Sequence, residues 1–560
     1  MKKIFALLLS MCLVIALMSG CKTNSIPDDG KNSSNTQSTQ QDNKAEQKET
    51  SYFNTTGFPI VNEKITLKLL GLRNPLNGPW EEMYLFNELE KRTNIHFEIT
   101  SYDGTVYREK INLVFAANDL PDVFYCGTLT SQDEMNYGTQ GLLMPLEGLV
   151  DKYAPNIKKL FSEDPNIKKN LTSIDGHIYS LSKVDTRDIA LLGHRTWMNY
   201  KWIKDLGLQE PKTLDEFYSV MKAFKEKDPG KNGTIPMSGI FGAKDYKQYD
   251  IKQFILSAFG VPCDDEDSFY INDKGEAKYI PATAQFKEYL NYTKRLFAEG
   301  ILDPEYFTQN VAQYTAKGAE YKYGFFCYAD PSIMCKSEMG DNKWTDYLCP
   351  MPLTSSMNNE PIWPKRHGDA RGTFAITGKC KYPEAAIRLV DYFYDNGEGS
   401  IFAIVGFEEG KGGDYKGGYK WLDGNKSQWE YVVPEGYKTS WEYRNKVITP
   451  LGGNPMLIPA DFMNKEKNPG IAHLKKNTEK MKPYFKDVYP LIYLSNDELN
   501  KINLILNDIN TYVTQMEAKF ITGNEPMDNW DKYIETLNKM KLNELEIVYQ
   551  NAYNRWNSAK

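Results

Sequence analysis

From Ile65 onward the apolar residues switch between two periods. Residues 65–72 read as a buried strand, 80–93 as an amphipathic helix, 95–100 as a strand, 106–118 as a helix and 122–125 as a third strand. Strands separated by helices cannot be joined as hairpins. They pair in parallel through crossovers, and the crossover helices cover both faces of the sheet. This region is therefore α/β. Ligands of such sheets lie beyond the carboxyl ends of the strands, which directs attention to Arg73, Asn74 and Trp80 after the first strand and to residues 125–128, led by Tyr125, after the third.

Ahead of this region, Lys2 and Lys3 precede an apolar run over 4–18 that ends in Ser19 and Gly20, the pattern of a secretion signal over residues 1–20. The run is too short to span a bilayer comfortably. Met18-Ser19-Gly20-Cys21 resembles the bacterial lipobox, in which a cysteine after two small residues is thioether-linked to diacylglycerol and becomes the first residue. That resemblance implies lipidation at Cys21 and palmitate in the mature protein; an ordinary cleaved signal beside an incidental cysteine is the other reading. Between Lys22 and Ser51 the only strongly apolar side chains are Ile26 and Ala45, too few to drive ordering, so residues 21–55 are expected to form the lipidated head and a flexible tether. No later segment offers ~18 uninterrupted apolar residues. The expected location is the outer face of the plasma membrane.

A chain of 560 residues exceeds what one core organises, so at least two lobes are expected. Lys+Arg of 67 against Asp+Glu of 74 gives a net charge of −7. Without a basic block, such a chain is a poor grip for phosphate backbones, and no nucleic acid is expected. Loss of Lys2 and Lys3 with the signal makes the exported body more acidic still, so capture of an acidic solute would need local arginines such as Arg73 or Arg371. Aromatic residues reach 13%, a surplus that suggests stacking surfaces. Of 8 cysteines, Cys12 leaves with the signal and Cys21 is the lipidation site. The remainder hold no Cys-x-x-Cys pair, so no zinc site is expected; buried thiols are the default, with one disulfide among Cys327, Cys335 and Cys349 left open.

Further on, Thr213-Leu214-Asp215-Glu216 reads as a capping box, and Gly300 ends a helix over 284–299. Leu499, Ile502, Leu506, Ile509, Val513, Met516 and Phe520 recur at spacings of three and four, one long helix with an apolar seam. Packing onto its own domain is expected and makes the chain a monomer; a coiled-coil dimer is the other outcome.

Several ordered stretches resemble one family, the family 1 extracellular solute-binding lipoproteins of bacterial ABC importers associated with carbohydrate uptake. They are Ala116-Ala117-Asn118-Asp119-Leu120-Pro121-Asp122-Val123, Trp202-Ile203-Lys204-Asp205-Leu206-Gly207-Leu208 before Pro211-Lys212-Thr213, and Arg295-Leu296-Phe297-Ala298-Glu299-Gly300-Ile301-Leu302-Asp303-Pro304-Glu305. Pro383-Glu384-Ala385-Ala386 with Leu389-Val390-Asp391-Tyr392, and Phe520-Ile521-Thr522-Gly523 with Trp530 to Tyr533, continue the likeness to the end of the chain.

The resemblance implies a two-lobe periplasmic-binding-protein-like α/β fold with a hinge, an inter-lobe cleft and added C-terminal helices. Lobe one would comprise 60–190 and 371–490, lobe two 191–370 and 491–560. An oligosaccharide or other polar solute would be captured by closure of the lobes and handed to ABC permease subunits. Sugars present an apolar C–H face and a hydroxyl rim, so their sites combine aromatic planes with planar polar groups. By family position the candidates are Arg73, Asn74, Trp80 and Tyr125 from lobe one and Trp197, Tyr328 and Asp330 from lobe two. Asp369 and Arg371 sit at the return crossing, where a simple Asp369–Arg371 salt bridge is the alternative. The glycine-rich stretch 406–418, followed by Trp421, Trp429, Trp441 and Tyr443, either roofs the cleft or packs on lobe one.

No Gly-x-Ser-x-Gly, His-Glu-x-x-His or phosphate-cradling glycine loop occurs, so no catalytic residue, cofactor or enzymatic activity is expected. His96, His177, His194, His367 and His473 are scattered singly. Asp228, Asn232 and Gly233 match the start of a calcium loop, but Ile235-Pro236-Met237 stands where later acidic ligands belong. No metal site is expected. Three alternatives stay open: a peptide-binding relative, a lipid-anchored polysaccharide-degrading enzyme whose carboxylate pair hides among the 74 acidic residues, and an adhesin.

Overall fold

The computed structural model describes residues 52–193, 195–242, 249–264, 268–335 and 342–558. The signal, Cys21, the tether as far as Ser51, and His194 lie outside the described residues. Packing begins at once: Phe53 is buried and bridges to Val61.

Strands β1 (Ile65–Arg73), β2 (Ile95–Asp103) and β3 (Val123–Tyr125) form with the intervening helices Tyr84–Thr93 and Gly104–Ala117. The expected helix over 80–93 is divided: Trp80–Glu82 forms one 3-10 turn and Met83, extended, precedes the helix proper. Asn94, in the left-handed region at φ 64°, ends it. With β4 (Leu181–Val184) and a later strand, β12 (Asp369–Ile376), these make a five-stranded sheet in the order β2-β1-β3-β12-β4. β1 is parallel to β2 and β3, whereas β12 runs antiparallel to both its neighbours, so four strands share one direction. Gly71 is dictated by packing: a Cβ there would lie 2.0 Å from the Tyr125 carbonyl and 2.5 Å from the Trp80 ring. Gly372, at φ 75° and with Leu129 O 2.0 Å from a built Cβ, makes the irregularity in β12 between Ala370 and Phe374.

The second sheet joins β5 (Thr196–Asn199), β6 (Ile235–Met237), β9 (Tyr323–Cys327) and β10 (Tyr347–Leu348) in the order β10-β5-β9-β6. Between β6 and β9 lies the hairpin β7 (Phe269–Ile271) and β8 (Ala277–Tyr279). Two large cores result. One joins Leu67, Tyr125 and Phe374 to Trp429 and Phe462; the other joins Trp197, Phe217 and Phe325 to Leu474 and Met481 of the helix Pro469–Met481. A smaller cluster with Tyr107, Phe115 and Phe124 covers the other face of the five-stranded sheet.

The helix over 213–227 begins as expected in one half only. Thr213 accepts from Glu216 N, but the Glu216 carboxylate accepts from Lys212 N rather than from the capping residue. The long terminal helix runs Asn496–Thr522 with a complete capping box at Ser495 and a left-handed Gly523. Ile502, Ile509, Val513, Met516 and Phe520 bury in the second core, so the seam is spent within its own chain.

Two stretches connect the sheets, and a third strand packs on one of them. Residues 185–195 leave β4 for β5. β11 (Trp363–Lys365) leads back to β12, and β15 (Phe485–Asp487) pairs with β11 in parallel. The crossings are stitched to one another: Asp185 N donates to Gly368 O at 2.7 Å, and Leu192 bridges to Lys365. The insertion after Gly406 forms the hairpin β13 (Gly418–Trp421) and β14 (Trp429–Val432). Trp429 is 0% exposed, stacked 4.5 Å from the Phe462 ring, so this part of the insertion packs on the first core.

Candidate functional site

The sequence-derived candidates fall into three places. After β1, Arg73 is half-buried, and exposed Asn74 caps its own turn by accepting from Leu76 N at 2.9 Å. Trp80 and Tyr125 meet edge to face at 6.3 Å inside the first core. In the second core, the Trp197 indole donates to the Tyr328 carbonyl at 2.7 Å. The Tyr328 ring stacks on Tyr249 at 5.3 Å, and Asp330 caps the helix Pro331–Met334 through Ser332 N at 2.8 Å.

At the crossings, Arg371 donates to the carbonyls of Asn170 and, at 3.2 Å, Leu491, with its guanidinium 4.0 Å from the centre of the Tyr493 ring. Its charge faces buried Glu134, which accepts from Ser180 at 2.7 Å and from Tyr493 and whose carboxyl burial pushes up. Asp369 accepts weakly from Asn170 at 3.4 Å; its other oxygen is buried without a hydrogen-bond partner, and burial raises its pKa.

Residues 183–187 organise the space between the cores. Successive side chains of an extended segment point to opposite sides. Val184 and Thr186 line a cavity of about 860 Å3 that also touches Asn170, Asp369, Tyr553 and Trp556. Lys183, Asp185 and Arg187 take the other side, toward the aromatic insertion. There Arg187 grips Asp185 with two bonds of 2.8 and 2.7 Å. Burial, reinforced by the Arg187 and Arg444 charges, pushes Lys183 below the usual lysine range despite Asp185 nearby. Arg444 itself is 9% exposed and, among the described residues, donates to the carbonyls of Ser440 and Ile404. It lies 4.5 Å from the Tyr431 ring, and the Tyr431 hydroxyl is buried with no hydrogen-bond partner among the described residues. Burial raises Glu466, which Arg444 and Arg187 partly offset. From the second lobe, Arg195 reaches the Ala329 and Ile189 carbonyls while its buried Nε finds no partner. Burial and the Arg366 charge bring it down to about 10 against the pull of Asp330.

This arrangement offers fork-like donors, an unengaged phenol and carboxylates, flanked by Trp441 at 49% exposure. Groups of these kinds can hydrogen-bond hydroxyls and anions. Among the described residues no group of three His, Cys, Asp or Glu side chains is placed to hold a metal. The loop at Asp228 binds its own chain, with Thr234 N donating to the Asp228 carboxylate at 2.8 Å and Asn232 to Glu320 O at 2.9 Å. Among the described residues no disulfide joins Cys327, Cys335 and Cys349. None of this polar set was singled out from sequence; of its members Arg195 meets the candidates, through the Asp330 charge and the Ala329 carbonyl between Tyr328 and Asp330. Lys183 and Arg187 carried a signal, charged residues alternating on a strand that leaves a sheet. Tyr431 and Arg444 carried none, being brought in from the insertion.

The profile of the bacterial extracellular solute-binding proteins matches residues 77–399. The chain belongs to this family. FusA of Streptococcus pneumoniae serotype 4, described as a fructooligosaccharide ABC transporter substrate-binding protein, is 29% identical over 519 residues, covering 90% of this chain and 92% of FusA. The structure of FusA in complex with kestose matches at a TM-score of 0.70 and 27% identity over 88% of this chain and 100% of that one. A solute-binding protein from Bifidobacterium longum infantis, described as HMO-binding and ABC-transporter-associated, gives a TM-score of 0.75 at 20% identity over 88% and 99% of the two chains, a likeness of fold. Lipoprotein LipO of Bacillus subtilis is 27% identical over 278 residues, 48% of this chain and 51% of LipO. These solute-binding proteins are two-lobed, and this chain shares their mixed α/β fold.

Proposed function

We propose that this solute-binding protein captures an oligosaccharide between its lobes by hinge closure and delivers it to the permease of an ABC importer, acting as a binder and not as an enzyme. The observation that carries the reading is the set on the insertion side of residues 183–187, where the Tyr431 phenol has no hydrogen-bond partner among the described residues and the Trp441 ring is 49% exposed. A full-length FusA relative described as binding fructooligosaccharide supports the ligand class. Two α/β lobes joined by short crossing segments are suited to a hinge. The test is a thermal melt against a panel of oligosaccharides and peptides. A ligand at 100 times its Kd adds about 2.7 kcal/mol to stability, and it should be recovered uncut. A melt shifted by peptides alone sinks the carbohydrate assignment; shortened sugars recovered after incubation would make the protein an enzyme.

The same reading places the protein on the outer face of the membrane, lipid-anchored through Cys21 and working as a monomer. The lipobox-like sequence and the likeness to a lipoprotein support it. Labelled palmitate should follow the wild-type chain and be lost in Cys21→Ala; label retained by the variant would remove the anchor.

A further inference from the structure

We propose that the cavity of about 860 Å3, on the side of residues 183–187 opposite the aromatic insertion, is a second binding site that takes a small organic ammonium ion. Its volume lies within the range of small-molecule pockets, roughly 300–1,000 Å3. One wall comes from the first lobe: Asn170 stands on the helix Pro165–Leu171, whose Ile167 and Leu171 bury in the first core, and Asp369 opens β12. The opposite wall carries Tyr553 and Trp556 on the helix Leu542–Ser558, whose Leu545 and Val548 bury in the second core. Residues 365–369 of the return crossing line the space between them.

The charge balance of this lining selects the sign of the guest. Each lysine and arginine in it already faces a carboxylate. Lys365 takes Asp487 at 3.0 Å, Arg366 takes Asp264 through two bonds of 2.9 Å, and Lys486 stands 3.8 Å from Asp273. Two further carboxylates of the lining have no such partner among the described residues. Asp164 spends one oxygen on capping its helix, accepting from Asn166 N at 3.1 Å. Asp369 accepts one weak bond from Asn170 at 3.4 Å, and its Oδ2 is buried with no hydrogen-bond partner among the described residues. His367 and Arg371, whose charges act on Asp369, bond elsewhere: the His367 ring donates to the Tyr489 carbonyl at 2.8 Å, and Arg371 donates to the Asn170 and Leu491 carbonyls.

A withdrawn carboxylate without a counter-charge is costly, and a cation entering the cavity relieves that cost. The aromatic wall suits the same guest. The Tyr553 and Trp556 rings lie 23° from parallel with centroids 6.3 Å apart, and such faces attract ammonium groups. Lys169, 4.2 Å from the centre of the Trp556 ring, stands outside this lining and leaves the cavity to a guest. Among the described residues no group of three His, Cys, Asp or Glu side chains could hold a metal ion, whereas a primary ammonium brings three N–H donors for carboxylate, amide and phenol oxygens. Because the walls belong to both cores, hinge closure reshapes the cavity, and sugar and ammonium ion should change each other's affinity by the same factor. This coupling, unlike the site itself, rests on the capture reading above.

The test is calorimetric titration of the full chain in detergent with putrescine, a short alkyl diamine, and with the diol of the same chain length. The diamine should bind at least roughly tenfold tighter than the diol, and the gap should narrow with salt. Asp369→Asn should weaken the diamine by roughly tenfold or more, and Trp556→Ala by roughly threefold or more. Should Asp369→Asn fail to fold, Asp164→Asn keeps its helix cap, removes a charge from the same lining and should lower the affinity by roughly threefold or more. A sugar identified in the melt panel should, at saturation, shift the diamine affinity without abolishing it. Complete competition would put the diamine in the sugar site and overturn the second site. A diol that binds as tightly as the diamine, or diamine binding unmoved by all the variants, would overturn it equally. A diamine affinity that sugar leaves unshifted overturns the coupling. Diamine binding in a protein that takes no sugar keeps the second site and sinks the carbohydrate reading, so the two fail separately.

Discussion

Replacing Trp429 by alanine should lower stability by about 3–5 kcal/mol, the range for removing a buried tryptophan. The ring is 0% exposed, stacked on Phe462, and its indole donates to the Phe462 carbonyl at 2.7 Å. Its backbone exchanges bonds with Lys465 and Lys467, at 3.1 and 2.8 Å, which fixes the position of Glu466 between them. The loss should therefore reach the site as well and weaken ligand binding. Trp441→Ala, by contrast, removes a ring that is 49% exposed and should change stability by no more than ~0.5 kcal/mol. Urea unfolding of the two variants checks this. Equal midpoints would mean that the insertion is not part of the first core.

The second large effect concerns the terminal helix. Glu517 is 2% exposed, takes the Lys252 ammonium at 2.9 Å and accepts from the Tyr289 hydroxyl at 2.8 Å. The three residues lie on three different helices, so the carboxylate joins the helix Asn496–Thr522 to the second core. Glu517→Ala leaves Lys252 without this partner. Breaking a buried pair from one side costs about 3–5 kcal/mol; because Lys252 keeps 27% of its side-chain exposure, the lower end, about 3 kcal/mol, is expected. Pairing Glu517→Leu with Lys252→Met should recover most of it, since neither charge is then stranded. Urea titration of the single and double variants reads the outcome. A single-variant loss below ~1 kcal/mol would place the pair with exposed salt bridges and sink the argument.

Much of the fold was legible because it follows from periodicity. The first three strands and two helices stand within a few residues of where the pattern puts them, and the seam from Ile502 to Phe520 turned up packed in its own domain. Where local reading failed, a competing local bond explains it. Met83 is extended between a 3-10 turn and a helix, and Glu216 caps Lys212 instead of Thr213. The site was far less legible. Arg371, expected as a cleft residue or as the partner of Asp369, places one guanidinium nitrogen on the Asn170 and Leu491 carbonyls, while its buried Nε has no hydrogen-bond partner among the described residues. The arginines near Lys183 are instead Arg187 and Arg444.

Alternating periods determined the α/β class, and spacing determined the terminal helix, because both are set by which side chains share a face of one element. Which aromatics are core and which border the cleft was decided by tertiary structure. Burial of a tryptophan depends on what the rest of the chain lays over it: Phe462 covers Trp429, and Trp441, twelve residues on, is left half bare. The same holds for charge. A lysine on β4 and an arginine in an insertion some 260 residues later come near one another only when the insertion packs on the first core, and no local pattern in the chain records that meeting.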